Sequence, residues 1–305
     1  MSDLIYDPSV SSPMNVAVFL SGSGTNFEAL YNEQKRLESL GSQRYGRIGF
    51  VFTDVPECRG ADTARRLGIP TKVIDAKLFN QKLGVNKTLS IDSPARVGFD
   101  ALSIYLMEQV RQPDLICLAG YERWLSPYFV ERYGNKILNV HPGDTSKGYI
   151  GLGEKAVADA ILAGEETTRS TIFFVDQSKD MGPVLVQSHP IPVFTQDNKN
   201  DLDHALKYAH NNRLINVREF QRASKEDEEA NRWLQTLLKL SKEVQGRMKE
   251  RGDWPSYKFA VHYLIAQGRV AINDKNVFVD GVELPPHGFR LDEHQDEFQR
   301  SGIEI

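Results

Sequence analysis

"NVAVFLSGSGTNFEAL", residues 15–30, decides how the rest of the chain is read. After Asn15, Val16 to Leu20 form an apolar run of strand type, and a Ser-Gly-Ser-Gly turn then leads straight into a helical pattern. A strand that ends in a glycine loop and opens a helix is where a phosphate is cradled. Gly22 and Gly24 let the backbone approach an anion closely, while Thr25 and Asn26 cap a helix whose free amides face that anion. A nicotinamide dinucleotide is the competing reading, since Asp54 ends the second strand where a ribose-binding acid would stand. Against it, Phe27 occupies the place of the third glycine of that fingerprint, and a bulky side chain there hinders close helix-to-strand packing. An empty turn is the bland alternative.

Working outward, strand-like runs at 15–20, 47–53, 71–74, 114–120 and 136–140 alternate with helical patterns near 26–40, 59–68 and 96–111. That alternation predicts an α/β fold: a mostly parallel twisted sheet with helices on both faces and a Rossmann-like N-terminal half. Residues 170–176 and 183–193 read as further strands. Between 198 and 250 the composition turns charged and helical, with Trp233, Leu237, Leu240, Val244 and Met248 forming an apolar stripe better suited to core packing than to a partner. "SYKFAVHYLIAQG" reads as a mostly buried helix ended by Gly268, and "RVAINDKNVFVDGVEL" as a β-hairpin. The expected divisions are a polar N-terminal arm (1–14), a core (15–197), a charged helical insertion (198–250) and a C-terminal helix with a β-hairpin that completes the core (251–305).

A chain of 305 residues buries a sizeable core, and a net charge of -4 with a pI near 6.0 gives no general case for nucleic acid or an anionic membrane as partner. Small-molecule substrates are the better expectation, with a homodimer left open. Cys58 and Cys117 are far apart, and Cys117 lies in an apolar run, so neither a disulfide framework nor a zinc site is expected. The N-terminus lacks the pattern of a signal peptide and no apolar run approaches membrane-spanning length, which makes a cytoplasmic location the default.

The chemistry concentrates in "ILNVHPGD", residues 137–144. With a side-chain period of two, Asn139 and His141 point to one face while Leu138 and Val140 point to the other. Pro142 ends the strand, so the amide and the imidazole stand at its carboxyl end, where open α/β sheets bind ligands. A satisfied, partly buried histidine beside a turn-forming asparagine is the bland reading.

Taken together, "SGSGTNFEAL", "PDLICLAGYERWLSPYFVERYGNKILNVHP", "DQSKDMGPVLVQ" and the tail "DGVELPPHGF" resemble the phosphoribosylglycinamide formyltransferases, folate-dependent enzymes of purine synthesis. The resemblance covers roughly 15–75, 95–195 and 250–292. It implies the formyltransferase fold and transfer of a formyl group from the co-substrate 10-formyltetrahydrofolate to glycinamide ribonucleotide, with no metal. It further implies Asn139, His141 and Asp180 as the catalytic set and Ser23, Gly24, Thr25 and Asn26 as the phosphate loop. Arg96 falls on an arginine that holds the ribotide. Tyr121, Glu122, Arg123, Trp124 and Leu125, with Asp176, fall on the folate-binding segments. An acid that meets the ribose has Glu250 and Asp253 as its nearest counterparts.

The chemistry explains these residue types. Formyl transfer to an amine passes through a tetrahedral intermediate, so donors must be aimed at its oxyanion, and losing one typically costs on the order of 100- to 1000-fold in rate. Asp180 is expected to orient His141, raise its pKa and help move the amine's proton. By itself "KDMGP" reads first as a turn, and an arginine near a helix start, such as Arg96, is usually a solvated surface group.

Where that family has an apolar Ser-Leu-Leu-Pro turn after His-Pro, this chain has Gly143, Asp144, Thr145 and Ser146, which read as flexible and as a reshaped acceptor pocket. Insertions near 78–93 and 198–250 also depart from it. Rival readings are an N-formyltransferase for another amine, such as an amino sugar nucleotide, and a folate- or nucleotide-binding protein without catalysis. Methionyl-tRNA is disfavoured because no basic tract is evident.

Overall fold

The computed structural model describes residues 3–85, 90–151, 153–178 and 180–305. The strands of its main sheet are β2 (Met14–Leu20), β3 (Gly46–Thr53), β4 (Thr71–Val73), β5 (Leu115–Leu118), β6 (Ile137–His141), β8 (Thr171–Phe174), β9 (Val184–Gln187) and β14 (Phe289–Arg290). Shorter strands are β1 (Asp3–Leu4), β7 (Thr167–Thr168), β10 (Ile191–Pro192), β11 (Val270–Asn273), β12 (Asn276–Val279) and β13 (Val282–Glu283). The main sheet runs β14-β9-β8-β6-β5-β2-β3-β4. From β6 to β4 every pairing is parallel, and β8 alone is antiparallel to both its neighbours. The fold is therefore α/β with a mostly parallel sheet.

Helices cover both faces, as the unbroken burial of β2 requires. Val16, Val18 and Leu20 pack with Phe27 and Leu30 of α1 (Thr25–Ser39) and Ala61 and Ala64 of α2 (Arg59–Arg66). Ala17 and Phe19 face the other way, towards Ala76 of α3 (Ala76–Lys82), Phe99 of α4 (Pro94–Glu108) and Phe129 of α5 (Pro127–Tyr133). Serines start α4 and α5: the hydroxyls of Ser93 and Ser126 accept from Arg96 N and Phe129 N, each followed by a proline at the first helical position. Cys117 is fully buried in β5 and free.

Several boundaries differ from the sequence expectation. Residues 3–6 do not project as an arm, because β1 pairs antiparallel with β11 and the side chains of Ile5 and Tyr6 are buried. The run 183–193 is two strands: after β9 the chain turns, and β10 pairs with β7 in a separate two-stranded sheet. Nor does the helix break at residue 250. It runs continuously over 228–265, from α9 (Glu228–Met248) through a π-helical turn at Lys249–Asp253 and α10 (Trp254–Lys258) into a second π-helical stretch at Phe259–Ile265.

The apolar stripe of α9 does pack as core. Leu237, Leu240, Val244 and Met248 form a separate cluster with Val157 and Ile161 of α6 (Lys155–Leu162), α7 (Lys199–Asn211) and α8 (Val217–Ala223), while Trp233 stays half-buried and stacks on His204. The C-terminal hairpin is β11–β12, to which β13 adds a third antiparallel strand. Of the insertion near 78–93, residues 86–89 lie outside the described residues. No described helix is long and apolar enough to cross a membrane.

Candidate active site

A cavity of about 330 Å³ opens at the carboxyl ends of β5 and β6. Asn139, His141, Asp180, Asn26 and Asp253 line one part of it. Tyr121 to Leu125 form a strap along another, closed by Phe173, Val175 and Asp176. Side chains from five distant stretches of sequence thus meet in one hollow. Ser23, Gly24, Thr25 and Arg96 do not line it.

The alternation along β6 is as read from sequence. Leu138 and Val140 join one core cluster and Ile137 the other, which leaves Asn139 and His141 on the second face at the strand end. β8 fixes their register, Asn139 lying opposite Phe173 and His141 opposite Thr171. His141 is 5% exposed and its Nε2 has no hydrogen-bond partner.

Asp180 sits on a turn with a left-handed backbone, φ 52°, a conformation aspartate adopts more readily than most residues. Gly182 makes that turn feasible. A Cβ there would lie 1.9 Å from the Phe174 carbonyl oxygen, so only glycine lets the loop close against the end of β8. The result brings Asp180 Oδ2 to 4.0 Å from His141 Nδ1, adjacent but beyond hydrogen-bond length.

The electrostatics overturn one expectation. Asp180 was expected to raise the His141 pKa, but burial dominates and lowers it to about 4, with only a backbone interaction at Tyr149 working the other way. The ring is neutral at pH 7. Burial also pushes the Asp180 carboxyl up to about 6.

The glycine loop is held from behind. Gly24 caps α1 at φ 76°, and a Cβ on it would meet Gly60 Cα at 2.5 Å, so two glycines in contact set the loop against the start of α2. The first helical bond runs from Glu28 N to Gly24 O, leaving the amides of Thr25, Asn26 and Phe27 without intrahelical acceptors. Asn26 Oδ1 is buried, unpartnered and on the cavity wall.

Two acids and an arginine stand differently from their sequence reading. Asp54 does not face a ribose, because its carboxylate is taken by Ser21 and Arg123. Arg96 is 5% exposed and pairs with Asp100 at 2.9 Å one turn along α4, so its charge serves the helix interior and not the cavity. Asp253 does reach the cavity, whereas Glu250 is exposed and is not among its lining residues. Asp253 lies in the π-helical turn with Oδ1 unpartnered, and burial raises its carboxyl to about 6 against the opposing effects of Ser170 and Lys249.

The turn at Gly143–Ser146 is tied down by hydrogen bonds and close packing. Asp144 is buried and accepts from Ser146 N and from Gln187 Nε2 at 2.6 Å, while Thr171 Oγ1 donates to Gly143 O at 2.7 Å. A Cβ on Gly143 would sit 2.7 Å from the Tyr149 carbonyl oxygen, so the polar turn packs tightly beneath His141.

Sequence reasoning missed Gln245 and Lys249, which the inserted helix contributes to the cavity, and Gln245 also donates to Gly153 O. Their four-residue spacing, continued to Asp253, was the available signal. Among the described residues no three His, Cys, Asp or Glu side chains gather as a metal ion would need.

Residues 14–217 match the family described as formyl transferase. The chain is 27% identical to phosphoribosylglycinamide formyltransferase of Escherichia coli K12, over 92% of this chain and 100% of that protein. It is 33% identical to the trifunctional purine biosynthetic protein adenosine-3 of Gallus gallus, over 65% of this chain and 17% of the longer protein. A solved phosphoribosylglycinamide formyltransferase from Coxiella burnetii superposes with a TM-score of 0.57, covering 91% of this chain and 99% of that one, and at 21% identity that likeness speaks to the fold.

Proposed function

The chain belongs to the formyl transferase family, a family of enzymes, and from that premise we propose that it carries a formyl group from 10-formyltetrahydrofolate to the amine of glycinamide ribonucleotide in purine biosynthesis. The observation that carries the reading is the meeting of Asn139, His141 and Asp180 with Asn26 and the 121–125 strap around one cavity. Full-length similarity to the Escherichia coli enzyme supports the choice of acceptor.

In this reading the Asn139 amide and one N–H of the neutral His141 ring donate to the oxygen of the formyl group as it gains charge. The acceptor nitrogen bonds to the formyl carbon and the bond from that carbon to the folate nitrogen breaks. Asp180, mostly ionised at pH 7, takes the proton released by the acceptor and passes it to the departing nitrogen. The strap residues, with Leu125 and Val130 as apolar walls and Asp176 at the edge, hold the folate ring. The α1 amides and Asn26 receive the ribotide phosphate, and Asp253 meets its ribose.

A single-turnover assay at fixed formyl donor, with glycinamide ribonucleotide beside an amino sugar nucleotide, tests this. Transfer to the ribotide is expected. Preference for the sugar nucleotide, or tight folate binding without transfer to either, rejects the reading.

A further inference from the structure

We infer that Asp54 is a positioning residue whose buried carboxylate fixes the spacing between the glycine loop after β2 and the strap after β5. The inference rests on the reaction proposed above, in which those two loops hold the two substrates. They leave neighbouring strands, and Asp54 follows the strand on the far side of β2. Its Oδ1 accepts from Ser21 Oγ and its Oδ2 from Arg123 Nε, both at 2.5 Å. Ser21 closes the circuit: its Oγ accepts from Glu122 N at 3.1 Å and its own N donates to Gly120 O at 2.9 Å.

The Asp54 side chain is 5% exposed and that of Arg123 32%, so their attraction is only partly screened, and removing Arg123 strands a buried carboxylate. The glycine loop cannot retreat on its other side, because Gly60 N donates to Gly22 O and the Gly24 and Gly60 backbones already touch. Neither Asp54 nor Ser21 lines the cavity. Their loss therefore alters the distance between bound substrates and removes no group that lines the cavity, Arg123 included. Transfer is sensitive to that distance, since a misplacement of about 1 Å can cost on the order of 100-fold in rate.

The test measures single-turnover formyl transfer, equilibrium binding of each substrate alone, and thermal unfolding, for wild type, Asp54→Asn and Ser21→Ala. Asp54→Asn is expected to slow transfer about 10- to 100-fold, and Ser21→Ala by less, while each substrate alone binds as it does to wild type. Wild-type transfer rates in the folded variants overturn the inference and leave the proposed reaction intact. So does a rate loss matched by an equal loss of affinity, which marks a merely structural role. If Asp54→Asn does not fold, Ser21→Ala decides by the same criteria. Absence of transfer by the wild-type protein rejects the proposed reaction, and this inference with it.

Discussion

Two sets of polar side chains at the carboxyl edge of the sheet have been treated in opposite ways. Around β2, β3 and β5, Asp54, Ser21 and Arg123 satisfy one another. Around β6, His141 Nε2 and Asp253 Oδ1 are buried without partners, and the carboxyls of Asp180 and Asp253 are both pushed up to about 6 by burial. A satisfied network sets geometry and resists change. An unsatisfied one carries the cost of desolvation at rest and has hydrogen-bonding capacity left for a reacting molecule.

The sharpest way to break this comparison is His141→Ala. If the β6 set performs the chemistry, single-turnover transfer falls about 100- to 1000-fold, with folate binding retained. Transfer that survives undiminished would return His141 to the class of core histidines.

Asp180→Asn probes both activity and stability. Wild-type transfer is expected to rise with pH through about 6 as Asp180 ionises, and the variant loses that limb along with most of its rate. Stability moves in the opposite sense. A carboxyl raised from 3.8 to about 6 contributes stability that is fully present below pH 3.8 and lost as pH rises through about 6. Relative to wild type, Asp180→Asn should therefore gain roughly 2 to 3 kcal/mol between pH 4 and pH 8. Chemical denaturation at the two pH values measures it, and a gain that shrinks with rising pH would contradict the assignment. His141, lowered to about 4, acts the other way, losing stability as pH falls from 6.5.

Gly182→Ala should cost about 1 to 3 kcal/mol of stability, because its Cβ needs space occupied by the Phe174 carbonyl. Activity should fall with it as Asp180 is displaced, and a variant as stable as wild type would show that the loop has room to move. The smallest effect is expected from Lys249→Ala, an exposed cation on the cavity wall: the acceptor KM should rise about two- to fivefold with the folate KM unchanged. An unchanged acceptor KM would remove Lys249 from acceptor binding.

Much of this architecture could be read from local pattern. Strands such as β2 and β5 are buried on both faces and so appear as nearly continuous apolar runs, and the Asn139–His141 alternation needed only the strand period. What escaped depends on neighbours remote in sequence. Arg96 looked like a ribotide ligand or a surface group although Asp100 lies only one turn on, because the burial of that pair is set by the packing of α4 and not by the local pattern. The shift at His141 went the wrong way because a nearby carboxylate is visible in a motif while desolvation is a property of the packed interior. Gly143–Ser146 looked loose because its partners, Thr171 and Gln187, come from β8 and β9.

The continuous helix over 228–265 ties the inserted bundle and Asp253 to one shaft. In such a shaft each residue gained or lost turns everything beyond it by about 100°. The wider π-helical turn that ends on Asp253 holds one extra residue while keeping that carboxylate on the cavity wall. Lineages could therefore lengthen, shorten or redecorate the outer helices while a single phase-correcting turn keeps the inner end in register.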